Sequence, residues 1–167
     1  MERSRRTFIK EAIGVSTSVS ALSVTGGVIE AHGQSARTSG VRGFDHVALP
    51  MQNVEPMLAF YRALGFDVVE SAQACSVHFG TQMINLHRPA LWQSTSFTLR
   101  APAAKPPCGD LCFVWDGSPA SLSAALAKAS AKIETEPVSR QGGRRTTGSS
   151  VYTRDPDGNL LEFIIYS

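Results

Sequence analysis

The sequence predicts an α+β fold in which a unit of one strand, one helix and three strands occurs twice. A short apolar strand followed by an amphipathic helical segment begins near residue 44, and the same order returns near residue 110. Three further strand-like segments follow each helix. The string Asp155-Pro156-Asp157-Gly158 is typical of a tight turn, because proline presets φ and Gly158 accepts positive φ. The pattern therefore indicates two related modules in one domain.

The first module begins with a predicted strand at Phe44 to Pro50. Apolar side chains at helical spacing then predict a helix from about Val54 to Leu64, which ends at Gly65. Three strands are predicted after it. They span Phe66 to Ser71, Ala74 to Phe79, and Met83 to His87.

The second module begins with a predicted strand at Asp110 to Trp115. A helix is expected to start at Ser118-Pro119, since proline suits the first turn of a helix. The remaining predicted strands span Lys132 to Glu136, Ser149 to Thr153, and Asn159 to Tyr166. The modules are joined by the proline-containing residues 89 to 109, in which Ser96 to Leu99 is a candidate extra strand.

Three strings make the chain similar to a known family. They are Asp45-His46-Val47, the segment from Phe60 to Phe66 (Phe-Tyr-Arg-Ala-Leu-Gly-Phe), and the segment from Asp155 to Glu162. In these the chain resembles the vicinal oxygen chelate superfamily, which includes glyoxalase I, extradiol dioxygenases, fosfomycin-resistance enzymes and bleomycin-binding proteins. The resemblance covers roughly residue 43 to the end. It implies two βαβββ modules that form a cupped mixed sheet with the helices outside.

A metal site is predicted from one histidine and one acid. Glu162 lies in an apolar strand, where an unpaired charge is costly. His46 begins another strand, and a divalent metal held by both side chains would satisfy them. The alternatives are that His46 is hydrogen-bonded to the sheet backbone and that Glu162 is paired with Arg154 or Arg88.

The resemblance implies a third ligand on the first strand of the second module. Aligning the pattern through Cys112-Phe113 places Asp110 at that position. A shift of one residue would place Leu111 there, and Asp110 would then be a surface acid. His87 is the other candidate for the third ligand. The resemblance allows Zn, Ni, Mn or Fe(II) as the divalent metal, and two or three nitrogen and oxygen ligands do not choose among them.

Other side chains are candidates for contact with a substrate. Asn85 and His87 share one face of the fourth strand. We expect Glu162 and His87 to act as catalytic groups and Asn85 to contact the substrate. Arg144 and Arg145 are either solvated loop residues or a clamp for an anionic substrate.

These expectations lead to two functional hypotheses. The first is a metal-dependent glyoxalase-like lyase, isomerase or dioxygenase, whose small substrate chelates the metal through two adjacent oxygens. The alternative is a metal-free small-molecule or drug-binding protein of the bleomycin-resistance type. A homodimer is expected as well, because many proteins of the superfamily complete their cup by pairing two chains.

The amino terminus is similar to a twin-arginine export signal. Ser4-Arg5-Arg6-Thr7-Phe8-Ile9-Lys10 precedes a weakly hydrophobic run that is too polar for a stable membrane span. We therefore divide the chain into a signal peptide and linker at residues 1–40 and a folded domain at residues 41–167, with delivery to the periplasm or outside the cell. A disordered basic tail and a mitochondrial transit peptide are the alternatives. Export disfavours true glyoxalase I, whose glutathione substrate is cytoplasmic.

The net charge argues against a nucleic-acid-binding protein, and the number of cysteines argues against a disulfide-stabilised one. Residues 1–40 carry five basic and three acidic residues, which is the whole net charge of +2, so the remaining eleven basic and eleven acidic residues cancel. A neutral domain argues against nucleic-acid binding. Cys75, Cys108 and Cys112 are an odd number and do not form a closed disulfide framework.

Overall fold

The structure is a computed structural model that describes residues 40–166. The predicted export signal lies outside the described residues and stays a prediction. Within the described range, no helix is both long enough and apolar enough to cross a membrane.

The described chain contains the βαβββ unit twice, which confirms the predicted α+β class. In the first module, strand β1 is followed by helix α1 and strands β2, β3 and β4. A short helix, α2, begins the connection to the second module, which contains β5, α3, β6, β7 and β8. The bounds are β1 His46–Pro50, α1 Val54–Ala63, β2 Asp67–Glu70, β3 Ala74–Phe79, β4 Gln82–His87, α2 Pro89–Trp92, β5 Asp110–Val114, α3 Pro119–Lys128, β6 Val138–Gln141, β7 Thr147–Arg154 and β8 Leu160–Ile165.

Each module forms its own four-stranded mixed sheet. The strand orders are β1-β4-β3-β2 in the first sheet and β5-β8-β7-β6 in the second. The pairs β1–β4 and β5–β8 are parallel, and the other pairs are antiparallel. The backbone hydrogen bonds therefore divide the expected cupped sheet into two four-stranded halves, in which β1 and β5 are edge strands.

Two predicted strands were wrong. Residues 132–136 contribute only isolated bonds to β7: the Glu134 N–H donates to the Tyr152 carbonyl at 2.9 Å, and the Thr153 hydroxyl donates to the Lys132 carbonyl at 2.8 Å. Pro137 has no N–H, and the regular ladder starts after it with β6. Ser96 to Leu99 also forms no strand, and the connection instead begins with α2, in which Pro89 occupies the first turn.

The core lies between the modules. Within a strand, alternate side chains share a face, and directly paired residues lie on the same face. Val47, Leu49, Ile84 and Leu86 make one face of the first sheet apolar, and Leu111, Phe113, Leu161 and Phe163 do so in the second. These residues belong to or pack against a single cluster that also contains side chains of α1 and α3. The apolar faces of both sheets therefore contribute to one shared core.

The turn between β7 and β8 connects the two modules. The backbone N–H groups of Gln52 and Asn53, at the start of α1, donate to the Asp157 carboxylate at 2.7 and 2.8 Å. The buried Asp155 accepts from the Tyr61 hydroxyl at 3.1 Å and from the Asn159 side-chain amide at 2.8 Å. These hydrogen bonds, which we call the clasp, hold the acidic turn against the first helix and stabilise it.

That clasp also fixes the start of the second module. The side-chain oxygen of Asn159 accepts from the N–H groups of Cys108 and Gly109 at 2.9 and 2.7 Å, just before β5. Burial raises the pKa of Asp155, although the hydrogen bonds from Asn159 and Tyr61 act in the opposite direction. Asn159 thus joins β5, β8 and, through Asp155, α1.

Candidate functional site

The polar faces of the two sheets carry four side chains at equivalent positions. In the first sheet, Asn85 pairs with Ala48, two residues after His46. In the second sheet, Glu162 pairs with Cys112, two residues after Asp110. His46 and Asn85 are therefore related to each other as Asp110 and Glu162 are.

This register bears on the two alignments of the second module. Leu111 packs against the core, whereas Asp110 is exposed and has the same face as Glu162. Asp110 therefore shares a face with Glu162 and Leu111 does not, which favours the alignment through Asp110, while its role as a ligand stays a prediction.

His46 is oriented by its neighbour in the chain. The distance between His46 Nδ1 and the Asp45 carboxylate is 2.7 Å. An ionised carboxylate only accepts, so Nδ1 carries the proton of this hydrogen bond, and in the neutral tautomer that fits it the lone pair is on Nε2. The side chain is about half exposed, at 47% of its reference area. A carboxylate bonded to one ring nitrogen is the arrangement that prepares the other nitrogen as a metal ligand.

A cleft of about 800 Å³ lies on the polar face of the first sheet. His46, Asn85 and His87 line it, so the structure brings these three predicted side chains together. The loop after α2 supplies Phe97 and Leu99 to the same cleft, with Leu91 from the helix itself. The cleft thus combines polar groups from the sheet with an apolar wall from the connection.

His87 is the least accessible of the three. Its Nε2 lies 3.4 Å from the Asn85 side-chain nitrogen, and its ring packs edge-on against Phe97 with centroids 5.2 Å apart. Burial lowers the pKa of His87. The imidazole is therefore neutral at neutral pH and can accept a proton.

Glu162 lies on the polar face of the second sheet. The Ser150 hydroxyl donates to Glu162 Oε1, and the Cys112 thiol also hydrogen-bonds to this carboxylate. Burial together with the charge of Glu162 raises the pKa of Cys112 to about 12, which keeps the thiol protonated. Glu162 is consequently held by two neutral donors and is not paired with Arg154 or Arg88, which bind Glu134 and Glu70.

Arginines occupy the hairpin that joins β6 to β7. The Arg144 guanidinium lies over the Tyr166 ring at 4.7 Å, and Arg145 adopts positive φ in the turn. Arg140 lies over the Tyr152 ring at 5.9 Å, a contact that the sequence analysis missed. The registers of β6 with β7 and of β7 with β8 put Arg140, Tyr152 and Glu162 on one face, and the sequence carries no local signal for these registers.

The three proposed metal ligands are not gathered by one copy of the chain. Among residues 40–166, no three His, Cys, Asp or Glu side chains form a group that could hold a metal ion. His46 and His87 lie in the cleft of the first sheet, while Asp110 and Glu162 lie on the second. The ligand set His46, Asp110 and Glu162 stays a prediction.

A second cavity, of about 650 Å³, lies where the modules meet. Phe66, Phe79, Phe113 and Trp115 line it, together with His78 and Cys112. It contains none of the side chains predicted as ligands or substrate contacts.

Comparison with known proteins identifies relatives of the whole described domain. No family model matches the sequence. Glyoxalase domain-containing protein RDO1 of Mycosarcoma maydis is 34% identical over 131 residues, which are 78% of this chain and 72% of RDO1. Virulence protein STM3117 of Salmonella typhimurium is 35% identical over 126 residues, which are 73% of this chain and 83% of that protein.

Solved structures share the fold. The crystal structure of STM3117 superposes with a TM-score of 0.66 and 32% identity, and the match covers 76% of this chain and 98% of STM3117. Lactoylglutathione lyase from Agrobacterium tumefaciens superposes with a TM-score of 0.53 over 76% of this chain and 96% of the lyase. Its 23% identity supports a common fold alone.

Proposed function

This chain belongs to the glyoxalase-domain proteins of the vicinal oxygen chelate superfamily, and from that premise we propose that it is a metal-dependent enzyme acting on a small molecule with two adjacent oxygen atoms. The reaction class would be that of a lyase, an isomerase or a dioxygenase. The observation that supports the proposal most directly is the repeated register, which puts His46 in the first sheet and Asp110 with Glu162 in the second at related positions.

The chemistry of these donors fits a divalent metal. One imidazole and two carboxylates are suitable ligands for Zn, Ni, Mn or Fe(II). Asp45 already orients the His46 ring so that Nε2 is available. Hydrogen bonds from Ser150 and Cys112 would orient the Glu162 carboxylate. The metal, when bound, would supply Lewis-acid polarisation of the adjacent substrate oxygens.

We place this site between two copies of the chain. His46 and His87 lie in the cleft of the first sheet, whereas Asp110 and Glu162 lie on the second sheet. One copy, over the described residues, gathers no group of three ligands. A homodimer in which His46 of one copy meets Asp110 and Glu162 of the other would assemble the donor set.

The cleft of the first sheet would bind and orient the substrate. Asn85 lines the cleft, with its amide nitrogen 3.4 Å from His87 Nε2, and would hold a substrate oxygen. His87, kept neutral by burial, would accept a proton at Nε2. Phe97 and Leu91 would exclude water from the reacting atoms.

Metal analysis of the purified full chain tests the proposal. The wild-type protein should hold one divalent metal per chain and elute as a dimer, whereas Glu162→Gln and His46→Ala should lose the metal and keep the fold. Glu136→Gln and His78→Ala are matched controls at positions outside the ligand set, and both should retain the metal. Wild-type protein that binds none of Zn, Ni, Mn or Fe(II) would exclude the metal-dependent function.

A mixed dimer tests whether the ligands come from two copies. Copies with His46→Ala and copies with Glu162→Gln are co-expressed with different tags, and the mixed dimer is purified through both. It contains one site with both wild-type ligands and one site with neither, so it should hold half of the wild-type metal content. No metal in the mixed dimer would show that each site uses both ligands of a single copy.

A metal-free binding protein is the second candidate. The observation that favours it is the cleft of about 800 Å³, which one copy forms without help from the second sheet. This function predicts binding of a small molecule by the metal-free chain, and Glu162→Gln should leave that binding unchanged.

A further inference from the structure

The outermost strand of the second sheet carries an arginine on the polar face. Arg140 pairs with Gly148 across β6 and β7, and this face also carries Ser150 and Tyr152. The Arg140 Nε donates to the Tyr152 hydroxyl at 3.1 Å, and its guanidinium carbon lies 5.9 Å from the centre of the ring. Tyr152 is the direct strand partner of Glu162. The guanidinium is thus bonded to the side chain whose strand partner is the proposed ligand.

A second arginine is held in the same way at the end of the hairpin. Arg144 lies 4.7 Å above the centre of the Tyr166 ring. A side chain at Gly142 would overlap the Tyr166 hydroxyl and approach Ile164, which lies on the polar face, within 3.1 Å. The glycine therefore lets the hairpin fold over Tyr166 and brings Arg144 to the polar face.

Neither arginine is neutralised by an acid in the part of the chain that the structure describes. The ion pairs there are His46–Asp45, Arg62–Glu70, Arg88–Glu70 and Arg154–Glu134. Stacking on tyrosine fixes the plane of a guanidinium and leaves N–H donors available. Two oriented guanidinium groups without a carboxylate partner are suited to an oxyanion, which arginine binds through paired charge-assisted hydrogen bonds.

We propose that Arg140 and Arg144, held by Tyr152 and Tyr166, form an oxyanion-binding subsite beside Glu162. The substrate would then carry a carboxylate- or phosphate-type group in addition to its adjacent oxygens. The role in substrate recognition rests on the proposed function, whereas the binding of an anion by these arginines requires no metal.

The test compares two probes of the same shape and different charge. Benzoate and benzamide are titrated into the 15N-labelled full chain, as purified and after chelator treatment, and amide shifts are followed by NMR. Benzoate should shift amides of the β6–β7 hairpin and bind about tenfold more tightly than benzamide, with and without metal, because only benzoate forms charge-assisted hydrogen bonds.

Substitutions test which residues bind benzoate. Arg140→Gln should weaken benzoate binding about tenfold, and Arg140→Lys should weaken it severalfold, since lysine keeps the charge without the planar donor fork. Tyr152→Phe keeps the ring and removes the hydroxyl that orients Nε, so its loss should be smaller than that of Arg140→Gln. Arg100→Gln, an equal change of charge in the connection between the modules, should have no effect.

Several outcomes would overturn the proposal. Equal affinity for benzoate and benzamide would do so, as would an Arg140→Gln variant that behaves like Arg100→Gln, or shifts confined to another part of the chain. Benzoate binding that requires metal and disappears in Glu162→Gln would assign the anion to the metal, which would reject the arginine subsite and leave the metal-dependent function standing. Benzoate binding by a chain that binds no metal would support the arginine subsite and reject the metal-dependent function.

Discussion

Asn159→Asp is the substitution that best tests the clasp between the modules. The Asn159 amide nitrogen donates to Asp155 at 2.8 Å, and its oxygen accepts from the N–H groups of Cys108 and Gly109. Aspartate has the same shape and keeps the acceptor. It replaces the donor with an oxygen, however, and so puts a second carboxylate against the buried Asp155.

The loss in the free energy of unfolding caused by Asn159→Asp depends on the pH. Two carboxylates at 2.8 Å in a buried site cannot both stay ionised, so one must hold a proton. Protonating a carboxyl of ordinary pKa near 4 costs about 1.4 kcal/mol for each pH unit above that value, or about 4 kcal/mol at pH 7. The shared proton raises the folded-state pKa above the unfolded value, so the variant regains stability as pH falls. At pH 5 the deficit should be about 1.4 kcal/mol.

Urea unfolding followed by circular dichroism at pH 5, 6 and 7 measures this deficit. The wild-type chain and Gln93→Glu, an amide-to-acid change on an exposed side chain, are the references. We expect the difference between Asn159→Asp and wild type to shrink by about 1.4 kcal/mol per pH unit of acidification, and Gln93→Glu to follow wild type. A deficit that is the same at pH 5 and pH 7 would refute the reasoning.

Three further predictions concern other parts of the chain. Gly142→Ala should displace Tyr166 and cost about 1–3 kcal/mol in the free energy of unfolding, whereas Gly143→Ala, which has open space around it, should cost little; equal thermal shifts would count against this packing. The pKa of His87, measured by NMR titration, should lie below its ordinary value, and Phe97→Ala should raise it by admitting water; no change in that variant would remove burial as the cause. Replacing Arg5 and Arg6 by lysine should retain the protein in the cytoplasm at an unchanged melting temperature, and unchanged export would rule out the twin-arginine signal.

Local patterns were sufficient to predict most of the fold. The helix before Gly65 and the turn before Asn159 are specified by residues adjacent in the chain, and both were placed within a residue or two. The strand predicted at Lys132 to Glu136 failed for the opposite reason. Its alternation suits a strand, but Pro137 interrupts the ladder and the register of the hairpin assigns the pairing to Val138–Gln141.

For the site, the sequence could predict only which face of its strand each side chain lies on, from the alternation of side chains along the strand. Alternation correctly put His46, Asn85 and His87 on faces that allow them to share a cleft. It could not tell that Arg140 stacks on Tyr152, because that contact depends on the register of β6 against β7. Nor could it say whether His46 and Glu162 meet, since that depends on how two sheets are arranged in space and not on either strand.

The contact of Asp157 with the residues just before α1 has a consequence for the order in which the protein can be made. The carboxylate that accepts from the N–H groups of Gln52 and Asn53, just before this helix, lies 105 residues after Gln52. At roughly 5–20 residues per second, the helix would emerge from a ribosome about 5–20 seconds before Asp157 does. During that interval the first module has neither the contact with Asp157 nor the Phe163 ring of the shared core. A nascent chain stalled before residue 155 should therefore be bound by chaperones and cleaved by proteases more readily than the finished domain, even though its first βαβββ module is complete.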